Sequence, residues 1–238
     1  MNKKFLWKIE ELWKQYYMPT HQQCIPGVDA NYTDDISQYH SRFHCVHQFD
    51  FTPSSQPVFF DDAGGYVGLA HCQVANVAEK IVYLVDNHNE ILYPLVEIKE
   101  ATGNVYNIVH IDAHTDDAEF QRTKKTDLNL KNIKEYIAET RISDFFDAVS
   151  EANVIGQIFR VCHSDSFEFF LPPEEPYILS LDIDIFGPEG DFTDLESKVR
   201  VIAQAWGRAE AVVIATSPGF IEQGFAQKII EIFLKQKP

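Results

Sequence analysis

The sequence predicts an α/β fold of three layers, a mostly parallel β-sheet with helices on both faces. Three observations lead there. From residue 80 onward, apolar runs of strand length alternate with longer stretches of helical periodicity, the pattern of βαβ units. Runs such as KIVYLVD and AVVIATS are rich in β-branched residues and apolar with little interruption, as strands covered on both faces are. With 238 residues and 45% hydrophobic content, the chain can bury one sizeable core.

Taken in order, residues 3–17 place Phe5, Leu6, Ile9, Leu12, Trp13 and Tyr16 at helical spacing, which predicts a short amphipathic helix. Residues 18–56 are rich in Pro, Gln, Asp, Tyr and His without a sustained period and read as loops and short elements. PVFFDDAGGYVGLAH predicts two strands around a Gly64-Gly65 turn. KIVYLVD (80–86) is a buried strand, and EILYPLVEIKEA (90–101) a helix whose start or kink is limited by Pro94. NVYNIVHID (104–112) is the next strand, and residues 129–151 are helical in character. QIFRVC (157–162) and YILSLDID (177–184) are further strands. The helix over 193–209 opens with Thr193-x-x-Glu196, a capping box. AVVIATS (211–217) is the last strand, and residues 222–236 form a closing helix. The layout corresponds to a single domain over 1–238. It has an N-terminal extension, 1–79, of unassigned role and a metal-binding α/β core, 80–238.

Charge and cysteine usage exclude several classes. The net charge of −16 argues against nucleic acid or an anionic membrane surface as partner, since both need clustered Lys and Arg. It is compatible with a cationic substrate, although acidic composition also serves solubility alone. Cys24, Cys45, Cys72 and Cys162 stand singly, so neither a disulfide framework nor a zinc ribbon is indicated. The segment MNKKFLWKIEELWKQYY carries Glu10 and Glu11 where a signal peptide needs apolar residues, and no apolar run reaches membrane-spanning length. The expectation is a cytoplasmic protein.

The polar residues cluster where strands end. VHIDAHTDD projects His110, Asp112, His114 and Asp116 at every second position, LSLDID ends in Asp182 and Asp184, and VDNHN supplies Asp86 and His88. Ligands of open α/β sheets bind outside the carboxyl ends of the strands, so three strands deliver carboxylate and imidazole groups to one rim. A single Asp in such a place usually caps the next helix, and a single buried His is usually a satisfied core residue. One cap per helix suffices, however, and this many acids together are unfavourable unless protons or cations compensate. Oxygen and nitrogen donors without thiolate point to hard or borderline divalent metals, two of them, bridged by carboxylates.

DAHTD at 112–116 and SLDID at 180–184, with His88 upstream, resemble the metal motifs of the arginase, or ureohydrolase, superfamily. VDNHNEIL, HIDAHTDD, LSLDIDIFGPE and VVIATSPGFIEQ together are similar to a small bacterial family whose members are peptide arginases, enzymes that mature ribosomally made peptides (RiPP biosynthesis). The likeness covers about residues 80–236. It implies the α/β/α arginase/deacetylase-like fold and a hydrolase with two manganese ions (Mn2+) per chain. The substrate it implies is an arginine-containing precursor peptide, whose arginines become ornithine with release of urea. It places His88, Asp112, Asp116 and Asp182 on one ion and His114, Asp112, Asp182 and Asp184 on the other, with Asp112 and Asp182 bridging. Asp116 would also pass a proton to the leaving amine. His110 is not a ligand in that scheme and takes a supporting role.

The chain departs from free-arginine arginases in three places. After DAHTD those enzymes carry an Asn that helps bind the amino acid's α-carboxylate. Here Asp117, Ala118 and Glu119 follow, an acidic stretch that would repel a free carboxylate and so favours a peptidyl substrate. Their downstream proton-shuttle His has no counterpart, and His163 is the substitute candidate. Where their guanidinium-binding Glu ends a late strand, this chain has Ala215, leaving Glu222 and Glu90 as candidate substrate carboxylates.

Other constellations carry less. His40, His44 and His47 have helix-face spacing and could hold a metal with Cys45, but no further acids accompany them. Cys162 beside His163 is a poor nucleophile pair, because adjacent strand residues point to opposite faces. The alternative functions are a ureohydrolase of free arginine or agmatine, a one-zinc deacetylase-like amide hydrolase, and a non-catalytic binding protein.

Overall fold

The computed structural model describes residues 3–16, 24–25, 44–116, 127–140 and 145–235. Two sheets organise them. The smaller is antiparallel and three-stranded: β1 (Cys24–Ile25) and β3 (Pro53–Asp61) flank β4 (Gly64–Leu69). The β3–β4 turn is made by Asp61, whose carboxylate accepts from the Ala63 and Gly64 amides at 2.7 and 3.2 Å. The glycine pair therefore opens the second strand and does not form the turn itself. Gly65 is required there because a Cβ would lie 2.7 Å from the Pro57 ring.

The larger sheet has seven strands in the order β2-β5-β6-β10-β9-β7-β8. These are β2 (His44–Cys45), β5 (Gln73–Val77), β6 (Lys80–Val85), β7 (Tyr106–Ile111), β8 (Ile155–Val161), β9 (Tyr177–Asp182) and β10 (Ala211–Ala215). Only β5 and β6 pair antiparallel; the other neighbours are parallel. Strands β2 and β5 come from the residues before 80, so that part of the chain is built into the main sheet.

Side-chain alternation assigns the two faces. Val82, Leu84, Val212 and Ile214 join one core, which is closed by α1 (Lys3–Tyr16), α6 (Leu195–Arg208) and α7 (Gln223–Leu234) through Ile9, Val199, Ile202, Ile229 and Ile230. Tyr83, Val85, Val213 and Ala215 join the other, covered by α2 (Leu92–Thr102), α3 (Ile133–Glu139) and α4 (Phe146–Glu151) through Leu92, Leu95, Ile133, Tyr136 and Val149. The short α5 (Ser164–Glu168) inserts Phe167 into the first core. Three layers result, and each fully buried aliphatic side chain contributes ~1.5–3 kcal/mol.

Local chemistry sets the helix ends. Gly103 closes α2 with φ 71°, a left-handed conformation that costs glycine nothing. The helical stretch expected over 129–151 divides into α3 and α4; α3 stops at Thr140, and residues 141–144 lie outside the described set. The cap of α6 is Asp194, not Thr193: Asp194 Oδ1 accepts from the Ser197 amide at 2.9 Å. A carboxylate at that position outcompetes a hydroxyl because it also favours the positive end of the helix. Among the described residues no helix is long and apolar enough to cross a membrane.

Candidate metal centre

Strand order creates the site. β6, β10, β9 and β7 are consecutive neighbours, with Ala215 paired to Val85 on one side and to Asp182 on the other, and Ile111 paired to Leu181. Their carboxyl ends therefore lie level, and whatever follows each strand meets at one rim.

From β6 the chain turns through Asn87 into a 3-10 helix, His88–Ile91, which buries His88. From β7 it delivers Asp112, His114 and Asp116, and Arg160 Nε braces this loop by donating to the Thr115 carbonyl at 3.1 Å. Asp116 has φ 50°, a left-handed conformation of the kind retained where function outweighs local strain. From β9 come Asp182 and, one 3-10 turn on, Asp184, whose amide is accepted by Asp182 Oδ1 at 2.9 Å.

These groups converge. His88 Nδ1 lies 2.6 Å from Asp112 Oδ2, 3.0 Å from Asp116 Oδ2 and 3.2 Å from Asp182 Oδ2. His114 Nδ1 lies 3.2 Å from Asp112 Oδ1 and 2.9 Å from Asp184 Oδ2. All six residues named as ligands from the sequence thus meet in one place, and all but His114 are buried. His110 joins them: its Nε2 stands 3.5 Å from Asp112 Oδ2, and its ring stacks on His88 at 5.0 Å.

The donor set fits a cation. His88 Nδ1, His110 Nε2, Asp112 Oδ2, Asp116 Oδ2 and Asp184 Oδ2 are buried without hydrogen-bond partners, although the atoms crowd within contact distance. Short separations without hydrogen-bond alignment are what atoms directed at a common centre produce. Buried polar atoms left this way are costly, whereas a metal ion satisfies them together. Among the described residues, two groups could hold a metal ion: His88, His110, Asp112 and Asp116, and Asp112, His114 and Asp184. Asp112 belongs to both.

Protonation follows from the same crowding. Burial opposes charge on His88, yet Asp112, Asp116 and Asp182 outweigh it and hold the imidazole above its usual range. His114 is raised to about 12 by its contacts with Asp112 and Asp184. Burial lifts Asp116 to about 7, and burial with the charges of Asp182 and Asp112 lifts Asp184 well above the carboxylate range. Burial resists ionisation of Asp112 as well, but His88 and His114 pull it down. His110, walled in, is lowered to about 3. Without a cation the cluster gathers protons to offset its negative charge.

A cavity of about 100 Å³ opens onto the cluster, lined by Asn87, His88, His114, Asp116, Asp182, Asp184, Ser217 and Phe220. It is smaller than the roughly 300–1,000 Å³ of sites that enclose a whole small molecule.

The remaining expected residues lie elsewhere. Glu222 caps α7, its two oxygens accepting from the Gly224 and Phe225 amides at 2.9 and 2.6 Å. Glu90 is buried, with Oε2 accepting from the Asp86 and Asn87 amides at 2.9 and 3.0 Å. Neither lines the cavity, because each serves backbone amides that would otherwise lack partners. His163 is exposed at the start of α5 and does not line the cavity. Asp86 stays out of the cluster, accepting from the Leu69 amide and Thr216 Oγ1 at 2.8 and 3.0 Å. Cys162 is buried, which pushes its thiol up, whereas His163 is exposed. His44 and Cys45 lie on β2, not on a helix, and His44 stacks on His71 at 4.1 Å. Cys45, Cys72 and Cys162 are free. His40, Asp117, Ala118 and Glu119 fall outside the described residues.

Several contributors went unnoticed in the sequence. Ser180 Oγ lies 2.8 Å from His88 Nε2 and 3.4 Å from His110 Nδ1. Ser217 Oγ donates to Asp182 Oδ2 at 2.5 Å. Both were findable: Ser180 precedes Asp182 by two on the same face of its strand, and Ser217 follows the carboxyl end of β10. The chain matches no protein-family model, no curated protein and no solved structure.

Proposed function

We propose that the protein is a hydrolase with two divalent cations, acting on the guanidinium group of arginine within a peptide to give ornithine and urea. The observation that carries this reading is the division of Asp112. Its Oδ2 faces His88 and its Oδ1 faces His114, as a carboxylate bridging two cations would. His88, Asp112, Asp116 and Asp182 would hold one cation, and His114, Asp112, Asp182 and Asp184 the other. Manganese is the metal suggested by the likeness of DAHTD and SLDID to the arginase superfamily, which also makes the three-layer architecture arginase/deacetylase-like. Bound there, divalent cations would supply the Lewis acidity that makes a nucleophile from water near neutral pH.

The chain's own residues supply the rest. The oxygen of water adds to the guanidinium carbon, the bond from that carbon to the side-chain nitrogen breaks, and a proton goes to the departing amine. Asp116 lines the cavity and would carry that proton. Ser217 holds Asp182, and Ser180 holds the outer nitrogen of His88, so both ligands keep one orientation. A small cavity suits a substrate whose bulk stays outside, and the acidic chain attracts basic segments.

The test is to incubate manganese-loaded protein with a peptide containing one internal arginine and, separately, with free arginine and agmatine. Conversion lowers the peptide mass by one cyanamide unit, and kcat/KM is expected to be far higher for the peptide. A preference for free arginine would sink the peptidyl assignment. Conversion of arginine without urea release would sink the ureohydrolase reading.

A further inference from the structure

Glu189 belongs to neither metal motif, yet it contacts the cluster. Its Oε2 meets His114 Nε2, on the ring edge away from the nitrogen that faces Asp112 and Asp184. His114 is the outermost member of the set, its side chain 34% exposed against 1% for Asp112 and 2% for Asp184. Packing holds its buried neighbours still, whereas a ring at the surface needs another restraint.

The backbone is shaped to bring Glu189 there. After Asp184, the Gly187 amide donates to the Asp184 carbonyl at 2.6 Å and the Gly190 amide to the Gly187 carbonyl at 3.2 Å, forming two successive 3-10 turns. A Cβ on Gly190 would lie 1.9 Å from the Ile185 carbonyl oxygen. One on Gly187 would lie 2.9 Å from the Asp184 carbonyl and 3.0 Å from that of Phe220. Only glycine permits so tight a return, and Pro188 presets its first residue. From another side the Phe220 ring meets the His114 ring at 5.3 Å and 66°.

We propose that Glu189 is a positioning residue for His114. By accepting the Nε2 proton it selects the tautomer whose Nδ1 lone pair faces Asp112 and Asp184, and it fixes the ring in that direction. A carboxylate on the outer nitrogen of a ligating imidazole also raises its basicity. The affinity of the His114-side cation position therefore depends on Glu189, and that of the His88-side position does not. This rests on the two-cation reading above.

The experiment is a manganese titration of metal-free protein, with bound metal counted per chain and spin coupling between the ions followed by electron paramagnetic resonance. Wild type, Glu189→Gln (acceptor kept, charge lost) and Glu189→Ala are compared, with the melting temperature of each metal-free form measured alongside. In Glu189→Ala one of the two binding steps is expected to weaken roughly 10–100-fold. The coupled signal should then give way to that of a single ion at limiting metal, with Glu189→Gln intermediate and the other step unchanged. Two unchanged steps in both variants, or an equal weakening of both steps, would overturn the positioning role. A wild type that binds fewer than two ions overturns the two-cation reading and the proposal with it.

Discussion

His88 Nδ1 lies 2.6 Å from Asp112 Oδ2, and neither atom has a hydrogen-bond partner. Two buried polar atoms that close, aligned with no hydrogen-bond partner, would be satisfied together by a cation placed among them. Asp112→Asn keeps the shape and removes the charge that two cations would share. The variant is expected to bind neither ion, whereas Asp184→Asn should lose only the His114-side ion. Metal content by elemental analysis decides it; equal content in wild type and Asp112→Asn would refute the shared-ligand role.

Metal should also stabilise the fold, since the site exists only in the folded chain. At a free metal concentration near 100 times Kd the gain is about 2.7 kcal/mol for one site. A chelator is therefore expected to lower the melting temperature of the wild type and to leave Asp112→Asn unchanged. A wild type indifferent to chelator would count against a resident cation.

Lys198 is buried at 1% exposure, near Asp184, Asp191 and Asp194. Burial lowers its amine from 10.5 to about 8, against the pull of those acids. Below about 8 the ammonium is charged in both states and the fold bears the desolvation, about 3 kcal/mol by linkage. Between about 8 and 10.5 the folded protein releases the proton first, so this penalty fades as pH rises. Lys198→Met is expected to be more stable than wild type at pH 7, with the difference shrinking across that window. Denaturant unfolding at several pH values checks it, and an advantage that grows with pH would contradict the assignment.

Besides the Leu69 amide on Asp86, the β3–β4 hairpin approaches the rim at Asn87 and Gly219. Asn87 Nδ2 donates to the Val58 carbonyl at 2.9 Å, and a Cβ on Gly219 would lie 2.2 Å from the Phe59 ring. Gly219→Ala should cost ~1–3 kcal/mol by overpacking. Phe59→Ala in the same chain should recover part of that loss, as contacting residues are not additive. Simple additivity of the two losses would mean that the hairpin docks elsewhere.

Much of this molecule was legible in its sequence because the informative patterns are local. Period-2 polarity in HIDAHTD, and DxD closing LSLDID, report where a strand ends and which side chains leave it together. The candidate metal residues were singled out at such strand ends, and the likeness of DAHTD and SLDID to the arginase superfamily grouped them. Local pattern carries no account of which strands lie side by side. Only the tertiary structure placed β10 between β6 and β9, which brings His88 within reach of Asp182 across nearly a hundred residues of chain. The same limit applies to the carboxylates. Glu222 and Glu90 read alike in the sequence as acidic residues near the rim, Glu189 was not singled out there, and the task of each is set by which donor it meets: helix amides, strand-end amides, or His114. A carboxylate goes to the strongest unsatisfied donor that the packed chain brings within reach, and that donor is chosen by the fold.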